Sequence, residues 1–291
     1  MKSVSLNTVL SLLKYKVSIA VTFTAITGYV IYTRSFDLRI FLLIIGVFSL
    51  AGGSSSLNEY QERNYDAIMP RTKDRPIPTG KVTPLQAFFI SFFFIAIGLF
   101  VLYLSFGIVP ALFGAFNVFW YNLVYTNLKR ITAFAVVPGS LVGAVPAFIG
   151  WTAAGGYYLE STIVFIAFFL FIWQVPHFWL LMLKYGKEYE AAGFPIINNV
   201  ITPVNLKRII FTWIVATASV SIMIPLFLVN VSFPFFIFIF ILNVLFIGIF
   251  TKLTFGKTAE LNFRKSFISI NVYMMLFMVM LIIFHIFTSP L

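Results

Sequence analysis

The sequence predicts an all-α polytopic membrane fold: nine transmembrane helices in a single bundle, with the N-terminus in the cytoplasm. Three observations carry that expectation. Of 291 residues, 60% are apolar and only 10% charged, too little charge for a soluble domain of this size to coat itself with water-compatible groups. Apolar runs of about 18 residues or more recur along the whole length. Of the 20 Lys and Arg residues, 18 fall on one side of the membrane once those runs are threaded through it. The 37 Phe residues fit a lipid-facing surface better than the core of a large soluble helical protein.

The nine runs lie approximately at 14–33, 39–58, 85–106, 109–126, 132–152, 159–183, 208–230, 232–251 and 266–288, and residues 1–291 read as one domain. The first follows Lys2, Lys14 and Lys16 and lacks a small-residue cleavage site, so it reads as a retained span. Gly107 is expected to turn the third run tightly into the fourth, and Asn230 to separate the seventh from the eighth. Only Arg34 and Arg39 lie on the outer side, which by the positive-inside rule puts the long loops in the cytoplasm and the C-terminus outside. That sorting accounts for the net charge of +11 without nucleic acid as a partner. The absence of cysteine excludes disulfides, thiolate metal ligands and cysteine nucleophiles. The pentapeptide Asn-Leu-Lys-Arg-Ile occurs at 127–131 and 205–209; it fits either duplicated halves or an Asn cap followed by basic anchors.

The loop after the second run is the richest in chemistry. If the helix continues past Asn58, then Asn58, Glu62 and Asp66 share one face. Two carboxylates and an amide oxygen are hard ligands suited to Mg²⁺, which is usually shared with substrate phosphates. Arg63, Arg71, Lys73, Arg75 and Lys81 supply cations in the same stretch, and guanidinium forks match phosphate oxygens. Together they read as a Mg²⁺–diphosphate site at the membrane surface; the alternative is a solvated loop of interfacial anchors. In the sixth run, Gln174 and His177 flank Pro176 at a depth where polar groups usually face a cavity or the bundle interior. The proline is expected to kink the helix there. Tyr125, Lys129 and Arg130 end the fourth run, the two cations serving either phosphate or the interface.

These motifs resemble the UbiA-type intramembrane prenyltransferases, which have nine spans, an Asn-x-x-x-Asp-x-x-x-Asp motif after the second and a further acidic motif after the sixth. Within that superfamily the chain is similar to the heme O synthases in Met69–Pro76, Tyr125–Thr132, Trp173–Phe178 with Glu188–Gly193, and Ala259–Ser266. Glu62 stands in an Asp slot, and Glu188 where heme O synthases have Asp. The resemblance implies Mg²⁺ on Asn58, Glu62 and Asp66, with Glu188 as a further ligand. It implies diphosphate contacts from Arg63, Arg71, Arg75, Lys129, Arg130, Lys184 and Lys187, a substrate contact at Tyr125, and a heme contact at His177. The implied reaction moves a farnesyl group from farnesyl diphosphate to a vinyl group of heme B with addition of water, in the cell membrane. It also raises contact with a terminal oxidase or heme A synthesis machinery. The rival expectations are a prenyltransferase acting on a phenol, quinone precursor or glyceryl phosphate, and a heme-handling scaffold or transporter without catalysis.

Overall fold

The computed structural model describes residues 4–228, 231, 233–256 and 262–287. The expected turn at Asn230, residues 259–261 of the C-terminal motif and the chain beyond Phe287 lie outside those residues. Among the described residues there is no strand, and nine helices are long and apolar enough to cross a membrane. They are α1 (Tyr15–Thr33), α2 (Arg39–Asp66), α3 (Pro84–Phe106), α4 (Ile108–Leu128), α5 (Ala133–Ala153), α6 (Ser161–Ala191), α7 (Pro203–Phe227), α8 (Phe233–Phe255) and α9 (Phe263–Phe287). A short helix, Leu6–Leu12, precedes them.

Local chemistry sets several boundaries. Thr83 and Gln86 form a reciprocal capping box with Pro84 at the first helical position, so α3 starts there. Gly107, at φ 89°, takes the α3–α4 hairpin through a conformation that favours glycine. Thr202 accepts a bond from the Asn205 N–H and caps α7 ahead of Pro203.

The main departure from the sequence expectation is at the C-terminal ends of two helices. Helix α2 runs to Asp66 and α6 to Ala191, each eight residues beyond the span read from hydropathy. Hydropathy marks where a helix leaves lipid; backbone hydrogen bonding and packing determine where it stops. The two Asn-Leu-Lys-Arg-Ile copies are not equivalent. One straddles the end of α4 and the turn after it, and the other lies inside the first turns of α7. The repeat is therefore not a structural duplication.

Small residues let the helices approach. An added Cβ at Gly150 of α5 would collide with the Ala25 carbonyl of α1, and one at Gly28 of α1 with the Ala147 carbonyl. Helix α9 packs back on α1 and α6. Phe89, Phe92, Phe93 and Phe100 on α3, and Phe233 and Phe240 on α8, point outward, a surface that hydrocarbon accepts and water does not. The protein is a multi-pass membrane protein.

Candidate active site

Helices α1, α2, α4, α5 and α6 enclose a cavity of about 370 Å³. Its polar end is lined by Lys14, Asn58, Glu62, Asp66, Arg71, Arg75 and Lys129. Its deeper wall is apolar: Val17, Val21, Val47, Leu50, Val118 and Ile149. A charged mouth over an apolar shaft suits an amphiphile with an anionic head and a hydrocarbon tail.

The extension of α2 is what builds the mouth. Asn58, Glu62 and Asp66 recur every four residues along it and are 2%, 4% and 0% exposed. Lys129 Nζ lies 2.6 Å and 2.7 Å from the two oxygens of Glu62. Arg75 Nη1 donates to Asp66 Oδ2 at 2.7 Å, and its Nε sits 3.8 Å from Glu59 Oε1. Asn58 Nδ2 donates to Thr126 Oγ1, and its Oδ1 accepts from Lys14 Nζ at 3.3 Å. Burial alone would pull Lys129 and Arg75 down, but the facing carboxylates outweigh it and hold both above their ordinary ranges. At Lys14 the charges of Glu59, Glu62 and Asp66 pull upward too, but they do not outweigh the opposing effects. Burial first, then the Arg75 charge, lowers it to about 8.

Four cations and two carboxylates thus face the cavity, leaving a positive surplus that an anion would neutralise. Asp66 Oδ1 is buried without a hydrogen bond among the described residues. No group of three His, Cys, Asp or Glu side chains among the described residues is placed to hold a metal by itself. The donors fit Mg²⁺ shared with a ligand's phosphates, the mode this ion prefers, and not an all-protein cage.

Helix α4 supplies the opposite wall. Asn117, Tyr121, Tyr125 and Lys129 all line the cavity, although a regular α-helix drifts about 40° for every four residues. A π-helical turn at Trp120–Tyr125 widens the coil and offsets that drift. It is clamped to α2 by side-chain amides. Asn122 Nδ2 donates to the Ser54 carbonyl, Ser54 Oγ to Asn122 Oδ1, and Gln61 Nε2 to the Asn122 carbonyl.

The cavity gathers only part of the residue set that the sequence suggested. Asn58, Glu62, Asp66, Arg71, Arg75, Tyr125 and Lys129 line it; Arg63, Arg130, Lys184, Lys187, His177 and Glu188 do not. Arg63 bonds the Tyr60 carbonyl and lies over that ring, and Arg130 bonds the Gln61 carbonyl and lies over Tyr65. Lys184 covers the rings of Tyr185 and Phe263, while Lys187 is exposed. Glu188 accepts the Arg71 N–H at 3.0 Å, and Arg71 Nη2 donates to the Tyr189 hydroxyl. These contacts tie the loop after α2 to the end of α6 above the cavity.

His177 packs between Trp173 and Phe267, with ring centroids 4.9 Å away on each side, and its Nδ1 is buried without a hydrogen-bond partner among the described residues. His177→Phe keeps the ring and removes the orphaned nitrogen, a swap that is often close to neutral. Turnover within about threefold of wild type is the expected result; a larger fall in turnover with the melting temperature unchanged would return His177 to the chemistry.

Sequence reasoning did not single out Lys14, Tyr121 or Glu59. Lys14 sits in a left-handed turn between the short N-terminal helix and α1, at φ 44°. A lone lysine near an N-terminus carries no sequence signal for that role.

Comparison with known proteins gives a consistent family. The UbiA prenyltransferase family matches residues 20–287. Protoheme IX farnesyltransferase of Geobacter sulfurreducens is 36% identical over 203 residues, covering 70% of this chain and 75% of that protein. The enzyme of the same name from Nitratidesulfovibrio vulgaris is 32% identical over 216 residues, covering 74% and 75%. Among solved structures, a digeranylgeranylglyceryl phosphate synthase superposes with a TM-score of 0.78 at 19% identity, covering 97% of this chain and 98% of that one. An Archaeoglobus fulgidus UbiA homologue bound to GPP and Mg²⁺ gives 0.71 at 15% identity, covering 97% and 100%. The matched span, the nine helices and the curated relatives agree: the chain belongs to the UbiA prenyltransferase family and is an intramembrane prenyltransferase.

Proposed function

We propose that this enzyme, acting as one intramembrane domain over residues 1–291, transfers a farnesyl group from farnesyl diphosphate to a vinyl group of heme B. Water is added, heme O is formed, and the reaction takes place at the cytoplasmic face of the cell membrane. The observation that carries the reading is the buried mouth, where Asn58, Glu62 and Asp66 meet Lys14, Arg71, Arg75 and Lys129 over an apolar shaft. Its acceptor half rests on the relatives named protoheme IX farnesyltransferase and on the Trp173–Phe178 run.

In this reading Asn58, Glu62 and Asp66 hold Mg²⁺ against the diphosphate. The bound ion supplies positive charge to the leaving group. Arg71, Arg75, Lys129 and Lys14 bind the remaining phosphate oxygens and stabilise negative charge as the allylic C–O bond breaks. Tyr121, Tyr125 and Phe178 present aromatic faces beside the head of the site, where an allylic cation would form. The tail lies along Val17, Val21, Val47 and Leu50, which exclude water from the cation. Arg63, Arg130, Lys184, Lys187 and Glu188 stand outside the cavity lining, and in this reading they act around its rim.

The test is direct. Purified protein in lipid nanodiscs, given heme B, farnesyl diphosphate and Mg²⁺, should yield a heme heavier by one farnesyl group and one hydroxyl group. Prenylation of a phenol, with no heme product, would favour the rival acceptor class.

The cytoplasmic placement of the mouth rests on charge. Arg34 and Arg39 stand apart from the other 18 basic residues. A reporter active only in the cytoplasm, fused after Leu291, should stay silent, whereas strong activity would reverse the orientation.

A further inference from the structure

The allylic cation must be shielded from bulk water, yet the proposed product contains a water-derived hydroxyl. Something must admit one water and aim it. Gln174 is the residue so placed. It lies on α6 one turn below Phe178, and both line the cavity. Phe178 stacks on Tyr125, with centroids 6.2 Å apart, and Lys129 Nζ lies 5.4 Å from the Tyr125 ring centre. The diphosphate end and Gln174 therefore sit on successive turns of one continuous wall.

The surroundings of Gln174 are apolar: Val142, Pro146 and Leu181 share that part of the wall. Gly143 makes room for the amide, because a Cβ there would collide with Gln174 Oε1. Among the described residues the amide makes no hydrogen bond to protein, and neither of its polar atoms is sealed from the cavity. An amide with free hydrogen-bonding capacity in an apolar wall has one ready partner, a water molecule held at the cavity surface.

We infer that Gln174 is a positioning residue that holds the water which adds to the prenylated acceptor. The inference rests on the heme-prenylating reading above. The terminal vinyl carbon forms a bond to C1 of the farnesyl group as the C1–O bond to diphosphate breaks. The positive charge then lies on the vinyl carbon attached to the porphyrin ring. The oxygen of the Gln174-held water bonds to that carbon, and its proton leaves to the released diphosphate. Without a held water, the same cation loses a proton from the neighbouring CH₂ and leaves an alkene.

Two variants test this through the product, not the rate. Gln174→Met keeps the length of the side chain and removes the amide; Gly143→Ala leaves Gln174 in the sequence and crowds its amide aside. Each is incubated with heme B, farnesyl diphosphate and Mg²⁺, and the heme products are weighed. The expected result for both is a fall of at least tenfold in the ratio of hydroxylated adduct to the adduct lighter by one water. Gln174→Asn should recover part of the ratio. Because the ratio is read on product already formed, partial misfolding does not move it. An unchanged ratio in either variant, or loss of all adduct with no lighter species, overturns the assignment. Failure of the wild type to prenylate heme would instead overturn the proposed function.

Discussion

Glu62→Gln and Asp66→Asn should each lower turnover by at least ~100-fold, the scale seen when a preorganised electrostatic group is lost at the reacting centre. Both changes keep shape and a hydrogen-bonding oxygen while removing a negative charge. Raising Mg²⁺ should recover part of the loss, because weakened metal binding responds to mass action. The fold adds a second consequence. Glu62 and Asp66 are buried against Lys129 and Arg75. Neutralising one carboxylate leaves a buried cation less compensated, which costs about 3 kcal/mol when a buried pair is broken. Melting temperature in detergent should therefore fall in the single variants. The double variant Glu62→Gln with Lys129→Gln removes both charges and should recover stability without recovering turnover. Asp37→Asn is the control. Asp37 accepts bonds from the Tyr29 hydroxyl and the Arg39 N–H, outside the cavity, and its turnover should match wild type. Near-full activity of the two site variants, with Mg²⁺ dependence unaltered, would remove the metal assignment.

Gly150→Leu should destabilise the protein by about 3 kcal/mol, the upper end of the usual cost of overpacking. At this position the obstacle is the α1 backbone itself, at Ala25, and not a side chain that can rotate away. Forcing α1 off α5 would also move Val17 and Val21 from the cavity wall and Lys14 from Asn58. Affinity for farnesyl diphosphate should fall together with the melting temperature. Gly248→Leu, where an added Cβ meets nothing within 4 Å, is the matched control on α8 and should melt as wild type does. Equal melting of the two variants would show that the α1–α5 approach is looser than the structure gives.

The sequence alone determined the spans, because a helix in hydrocarbon must satisfy its own backbone and present apolar side chains over about 20 residues. That signal is local and strong, and each of the nine runs overlaps one of the nine long helices among the described residues. The four-residue spacing of Asn58, Glu62 and Asp66 is local too, so their shared face was legible once the helix was allowed past residue 58. Hydropathy could not show that α2 and α6 continue beyond lipid, since polar residues in a helix and in a loop look alike to it. Nor could it show which cations enter the site. Arg63, Arg71 and Arg75 lie within thirteen residues of sequence, yet Arg63 turns onto Tyr60 while Arg71 and Arg75 reach the cavity. Lys14 and Lys129 are far from the acidic motif in sequence and arrive through the packing of α1 and α4 on α2. His177 and Gln174 are three residues apart on one helix, about 300° of rotation. Gln174 lines the cavity and His177 packs between Trp173 and Phe267. Which face of a buried helix meets a cavity is fixed by its neighbours, and only the tertiary structure contains them.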